Sequence, residues 1–189
     1  LGISYQGHSG KPSTRGLEAA MAQTGISRSH TAMVGDKLLT DDELPARLDE
    51  LGIERPDHIE YLYPVLHSFT GAAAVRREFP ELDDGIISAI HNHTLGSLDM
   101  SDLDIIIFVA DMIEPLRKSK GRPEVKRLRQ MAGKVPLDEL YFEAYAATMR
   151  SLIDRKRFID PAALDIWNGL VKRHHPIDKS RQGNPDAVL

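Results

Sequence analysis

The segment LDIIIFVADMI (103–113) is apolar on almost every side, yet it carries two aspartates, Asp104 and Asp111. Its length and composition predict a helix, and a helix apolar all round is expected at the centre of a domain. An ionised carboxylate in such surroundings is costly unless a cation or a hydrogen-bond donor satisfies it. Asp104 and Asp111 are seven residues apart and share a face, so one of them can equally be a buried carboxylate that ties or caps the helix. Two histidines, His91 and His93, stand just ahead. A histidine near a buried aspartate makes a metal the sharp expectation for Asp111. On a continuous helix His91 and His93 would project roughly 200° apart and could not share one ligand. His93 falls on the stripe of Ile86 and Ile90 and is the favoured functional residue; a core histidine bonded to a backbone carbonyl is the alternative.

The 189 residues, 41% hydrophobic and 28% charged, suffice for one packed domain, or one plus a fragment, under a charged surface. A net charge of −4 offers no basic footprint for nucleic acid, while a local cationic or metal site still admits an anionic small molecule. The absence of cysteine excludes disulfides, thiolate ligands and cysteine nucleophiles. It fits a reducing cytosol, so a cytoplasmic location is the expectation. The longest strongly apolar run, Ile105–Ala110, is too short to span a bilayer, so no membrane partner is expected. The chain opens on Leu1 rather than methionine, which raises the expectation that its start was cut from something longer.

Along the chain, 15–24 reads as a helix stopped by Gly25, and His30–Val34 as a short strand with Gly35-Asp36 as its turn. That is a helix–strand piece of the α/β kind. From Thr40 the pattern is helical. Thr40-Asp41-Asp42-Glu43 forms a capping box for a helix ending near Gly52. Further helices are predicted over 58–66, disturbed at its end by Pro64, then over 68–79, 83–93, 101–113, 122–131, 137–157 and 161–173. The 137–157 helix carries the core-facing series Leu140, Tyr141, Ala144, Tyr145, Thr148 and Leu152. His67 falls at the boundary between the second and third helices, where it can pack against Tyr63. Arg117 is suited to a bidentate phosphate contact or, more plainly, to an ion pair with Glu114. The polar tail 174–189 is expected to be mobile.

These residues resemble a known family. LHSFTGAAAVRREF (66–79), AIHNHTLGSLDMS (89–101) and LDIIIFVADMIEPLR (103–117) are similar, in order and spacing, to the YqeK-type HD-domain phosphohydrolases, and the likeness extends over about 40–157. The resemblance implies an all-helical domain that binds a divalent metal, iron first and manganese as the alternative, and hydrolyses diadenosine tetraphosphate symmetrically to two ADP. By position it makes His67, His93 and Asp111 metal ligands and places Thr94, Gly96, Glu114 and Arg117 around the nucleotide. The family's site also draws on a histidine of its first helix and on an adjacent His-Asp pair, and no His-Asp dipeptide occurs in this chain. His8 and His30 lie in other contexts. Two histidines and one aspartate fall short of the usual four to six ligands.

The first forty residues tell a different story. GKPSTRGLEAAMAQTGISRSHTAMVGDKLLTD (10–41) resembles the C-terminal half of haloacid-dehalogenase-type phosphatases, nearest the YqeG branch. There Lys11 matches the lysine that steadies phosphate, and Asp36 and Asp41 match the acidic motif that holds magnesium, a hard cation that favours oxygen ligands. The nucleophile motif DxDxT is absent, and without its carboxylate no phospho-enzyme forms.

The expected architecture is therefore mainly α, an HD-like helical bundle with a short α/β N-terminal fragment. It divides into the fragment at 1–39, the helical domain without its N-terminal metal-binding helices at 40–173, and the tail at 174–189. A two-enzyme fusion that has lost its beginning and its middle accounts for both resemblances. The leading functional expectation is metal-dependent hydrolysis of a dinucleoside polyphosphate, with a homodimer allowed. The alternatives are a non-catalytic nucleotide-binding remnant, a haloacid-dehalogenase-type phosphatase, and a purely structural helical module.

Overall fold

A computed structural model describes residues 44–114 and 123–176. Lys11, Asp36, Asp41 and Arg117, with the expected α/β fragment, the Thr40 capping box and the tail from 177, lie outside the described residues. Seven helices and no strand occur among the described residues: α1 (Leu44–Leu51), α2 (Ile59–Glu78), α3 (Asp84–Asn92), α4 (Asp102–Ile113), α5 (Pro123–Met131), α6 (Leu137–Asp154) and α7 (Pro161–His174). None of these is long and apolar enough to cross a membrane. The chain forms two compact units that divide between His91 and Asn92.

In the first unit α1 packs on α2. Leu48 is fully buried on α1. The helix stops at Gly52, whose φ of 68° suits a residue without a Cβ; the Ile53 amide then reaches back to the Leu48 carbonyl at 2.9 Å and the Gly52 amide to that of Asp49 at 3.1 Å, a Schellman closure. Arg77 of α2 donates to Glu50 of α1 at 2.9 Å across the pair.

The expected break near Pro64 does not occur. One helix runs from Ile59 to Glu78 with Pro64 inside it. An interior proline costs about 3 kcal/mol, whereas burying one leucine side chain gains about 1.5–3 kcal/mol. Leu62 and Leu66, on either side of Pro64, are both buried, and this burial outweighs the lost amide. His67 is thus half-buried in the middle of a helix and not at a boundary. Ser68 and Thr70 stay buried by returning their hydroxyls to the carbonyls of Val65 (2.8 Å) and Leu66 (3.1 Å).

In the second unit α6 is the hub, touching α4, α5 and α7. The stripe read from the sequence is the core: Leu140, Tyr141, Ala144 and Tyr145 are buried against Ile105, Phe108 and Val109 of α4, Leu128 of α5 and Leu170 of α7. Small Ala144 leaves room for an aromatic cluster. Phe108 stacks on Tyr145 at 6.1 Å and meets Tyr141 edge-on at 5.3 Å; such pairs add about 0.5–1.5 kcal/mol each beyond their area.

Helix α4 departs from expectation. It is not enclosed on all sides: Leu103 and Ile106 are 40% and 41% exposed, and Ala110 and Asp111 also face outward. The buried acid is Asp104, 2% exposed. Its Oδ2 accepts from the Ser101 amide at 2.8 Å and from the Ser101 hydroxyl at 2.6 Å, while its own amide donates to Ser101 Oγ at 3.2 Å. This reciprocal capping box satisfies the helix start. Of the two aspartates on one face, the capping role therefore belongs to Asp104.

Candidate functional site

The site residues of the second unit are set by a turn and three helices. The predicted 83–93 helix ends one residue early, at Asn92, so His93 opens a turn instead of continuing a helical stripe, and the 200° separation argument does not apply to it. His93 is nevertheless buried, at 7% exposure, while His91 is exposed and meets Phe69 edge-on at 4.6 Å.

The turn closes at Gly96, whose amide donates to the Asn92 carbonyl at 2.9 Å. Gly96 has a φ of 78°, and a Cβ there would lie 2.6 Å from the Tyr141 hydroxyl. Both the backbone and the neighbour demand glycine. Tyr141 holds the next residue at both ends: its hydroxyl donates to the Ser97 carbonyl at 2.7 Å and accepts from the Ser97 amide at 3.2 Å. Burial pushes the Tyr141 phenol up, only partly offset by the Ser97 hydrogen bond and the positive charge of Arg173, so it stays a neutral donor.

Between this turn and helices α4, α5 and α6 lies a cavity of about 550 Å³, within the range of small-ligand sites. It is lined by His93 and Thr94 from the turn, Asp111 from α4, Glu124 from α5, and Thr148, Ser151 and Asp154 from α6, with Arg155 at the α6 terminus. The apolar part of the lining comes from Phe108, Met112, Val125, Ala147 and Leu152. Three carboxylates thus face one guanidinium and a histidine, a lining that disfavours a bare polyanion and favours an anion accompanied by a cation.

Of the residues expected around a nucleotide and metal, the structure brings three to one cavity: His93, Thr94 and Asp111. Asp111 is exposed, so the premise that burial alone forces a cation onto it fails; water reaches its carboxylate. Glu114 does not line the cavity. It is the C-cap of α4, and its carbonyl and that of Ile113 accept from Arg129 at 2.8 and 2.9 Å, so its backbone ends a helix that Arg129 caps. Gly96 shapes the turn without lining the cavity. His67 belongs to the first unit.

Among the described residues no group of three histidine or carboxylate side chains converges in a way that could hold a metal ion. His93 and Asp111 alone do not make up the four to six donors that an iron-like cation takes, so the residues described do not fit the complete metal site that the resemblance implies.

Sequence reading missed Glu124, Ser151, Asp154 and Arg155, and assigned Thr148 to the core stripe, whereas it is half-buried and lines the cavity. Thr148 and Ser151 lie three apart and Arg155 four further on, one stripe of α6, and that polar run beside a core stripe is the only signal the sequence offered.

Comparisons with known proteins agree with both resemblances. The family described as HAD-hydrolase-like matches residues 8–44. The symmetrical bis(5'-nucleosyl)-tetraphosphatase of Halalkalibacterium halodurans is 34% identical over 119 residues, 63% of this chain and 62% of that one. The enzyme of the same description from Bacillus subtilis is 30% identical over 135 residues, 71% of this chain and 65% of its own length. This chain therefore spans slightly under two thirds of these relatives. A solved structure, described as a predicted HD superfamily hydrolase involved in NAD metabolism from Clostridium acetobutylicum, superposes with a TM-score of 0.62 at 29% identity, covering 71% of this chain and 69% of that one. The described residues are helical and resemble an HD-type hydrolase, as the sequence led us to expect.

Proposed function

We propose that the cavity under His93 is the nucleotide-facing part of an HD-type phosphohydrolase site, and that its substrate is a dinucleoside polyphosphate, diadenosine tetraphosphate split to two ADP. The observation that carries this reading is the meeting of His93, Thr94 and Asp111 on one cavity of nucleotide scale. Relatives described as symmetrical tetraphosphatases support it. In this reading His93 supplies an imidazole from a buried position, Thr94 supplies a hydroxyl, and the apolar lining around Phe108 receives a base or ribose face. A divalent cation, iron by resemblance or manganese in its place, would supply a polarised water and charge neutralisation when bound; the resemblance names His67, His93 and Asp111 as its donors, and of these His93 and Asp111 share the cavity. Those three fall short of a full set, so attack on phosphorus is not assigned to any described residue.

The same shortfall favours a second reading, a nucleotide-binding domain without turnover. No His-Asp dipeptide exists in the chain, and no third donor converges with His93 and Asp111 among the described residues. In either case the chain would comprise a haloacid-dehalogenase-like fragment at 1–39, the helical domain at 40–173 and a tail at 174–189, acting in the cytoplasm, with a homodimer allowed. Lys11, Asp36 and Asp41 would hold phosphate and magnesium if the fragment were competent, but the missing DxDxT nucleophile argues against phosphatase chemistry there.

Purified protein, analysed for bound iron and manganese and assayed for ADP release from diadenosine tetraphosphate, decides between the readings. Metal at one equivalent with ADP release establishes the hydrolase. Saturable nucleotide binding without ADP establishes the binding domain. Neither binding nor release sinks both.

A further inference from the structure

The α6 terminus ends in three consecutive cations, Arg155-Lys156-Arg157, all exposed. None of the three has a side-chain hydrogen bond or ion pair among the described residues, although six arginine–carboxylate pairs form elsewhere among them. Arg155 lines the cavity that holds His93 and Asp111. The turn itself is a Schellman closure: the Lys156 amide donates to the Ile153 carbonyl at 2.9 Å and the Arg157 amide to the Leu152 carbonyl at 2.9 Å. Lys156 occupies its left-handed position, with φ 52°. The equivalent position after α1 is glycine, Gly52. A side chain with a Cβ pays a conformational penalty there that glycine avoids, so the backbone has no use for lysine at 156; what lysine adds is charge.

We propose that the Arg155–Arg157 turn is the polyphosphate-binding edge of the cavity, with Arg155 as the direct contact and Lys156 and Arg157 raising the local positive potential. The ligand class is an inorganic or nucleoside polyphosphate carrying a divalent cation. The guanidinium reads phosphate oxygens as a planar fork. The carboxylates of Asp111, Glu124 and Asp154 on the same cavity repel a bare polyanion and tolerate one whose charge a cation has partly cancelled. The proposal rests on the nucleotide reading above only for the base and ribose, not for the phosphates. It also assigns the phosphate contact to a residue other than Arg117.

The test is titration of the full chain with magnesium tripolyphosphate and, separately, magnesium ADP, by calorimetry, alongside Arg155→Ala and Lys156→Gly. Arg155→Ala is expected to weaken tripolyphosphate binding about tenfold, a typical loss for a charge-assisted phosphate contact. Lys156→Gly is expected to weaken it several-fold with the melting temperature unchanged or raised, because glycine is at ease in that conformation. Weaker binding with undiminished stability is an outcome that a merely structural lysine cannot give. Wild-type affinity in Arg155→Ala overturns the proposal. If magnesium ADP binds and tripolyphosphate does not, the proposal falls while the nucleotide reading stands. If tripolyphosphate binds through Arg155 and no nucleotide does, the proposal stands and the nucleotide reading falls; if neither ligand binds, both fall.

Discussion

Asp104 and Asp111 divide two roles that look identical in sequence. Both lie on one face of α4, yet one caps the helix out of water and the other faces a cavity. Asp104→Ala removes the reciprocal cap and should cost about 1–2 kcal/mol of stability, read as a lower urea midpoint at unchanged slope. Asp111→Ala removes an exposed carboxylate and should cost less stability than Asp104→Ala in the same titration. If Asp111 serves the ligand, its loss should appear instead in metal content or nucleotide affinity. A large stability loss in Asp111→Ala with no change in either would remove it from the site.

The helices show how much could be read in advance. The α6 stripe, the Ser101 start of α4 and the Gly52 stop of α1 follow local rules of period, cap and left-handed turn, and they appear where the sequence put them. Continuity through Pro64 did not follow, because it is decided by the burial of Leu62 and Leu66, which no local rule contains. The outward face of α4 was misread for the same reason: a periodicity that is apolar all round does not say which side finds a partner. The cavity was half legible. His93, Thr94 and Asp111, singled out in the sequence, line one cavity, whereas Glu124 and Arg155 come from helices joined to it only by tertiary packing. One element carries a direct test. Tyr141 ties the turn after His93 through two backbone hydrogen bonds, and Tyr141→Phe should cost about 0.5–1.5 kcal/mol by losing bonds to the part-buried Ser97 amide and carbonyl. Amide exchange at Ser97 should accelerate in that variant if the tether is what holds the turn.

At the scale of the molecule, both likenesses, to HD-type tetraphosphatases and to haloacid-dehalogenase-type proteins, fall on one chain of modest net charge, −4. Leu103, Ile106 and Ala110 succeed one another along the outward side of α4, an oily strip left wet. Neighbouring molecules in a concentrated solution carry little mutual repulsion to keep such strips apart. Light scattering per unit mass should therefore climb with protein concentration and salt, and a single Ile106→Glu change should flatten that climb while leaving the far-ultraviolet helical signal as it was. Handling the protein dilute, or with a mild detergent, is the practical corollary for anyone who wants to crystallise it or weigh its ligands.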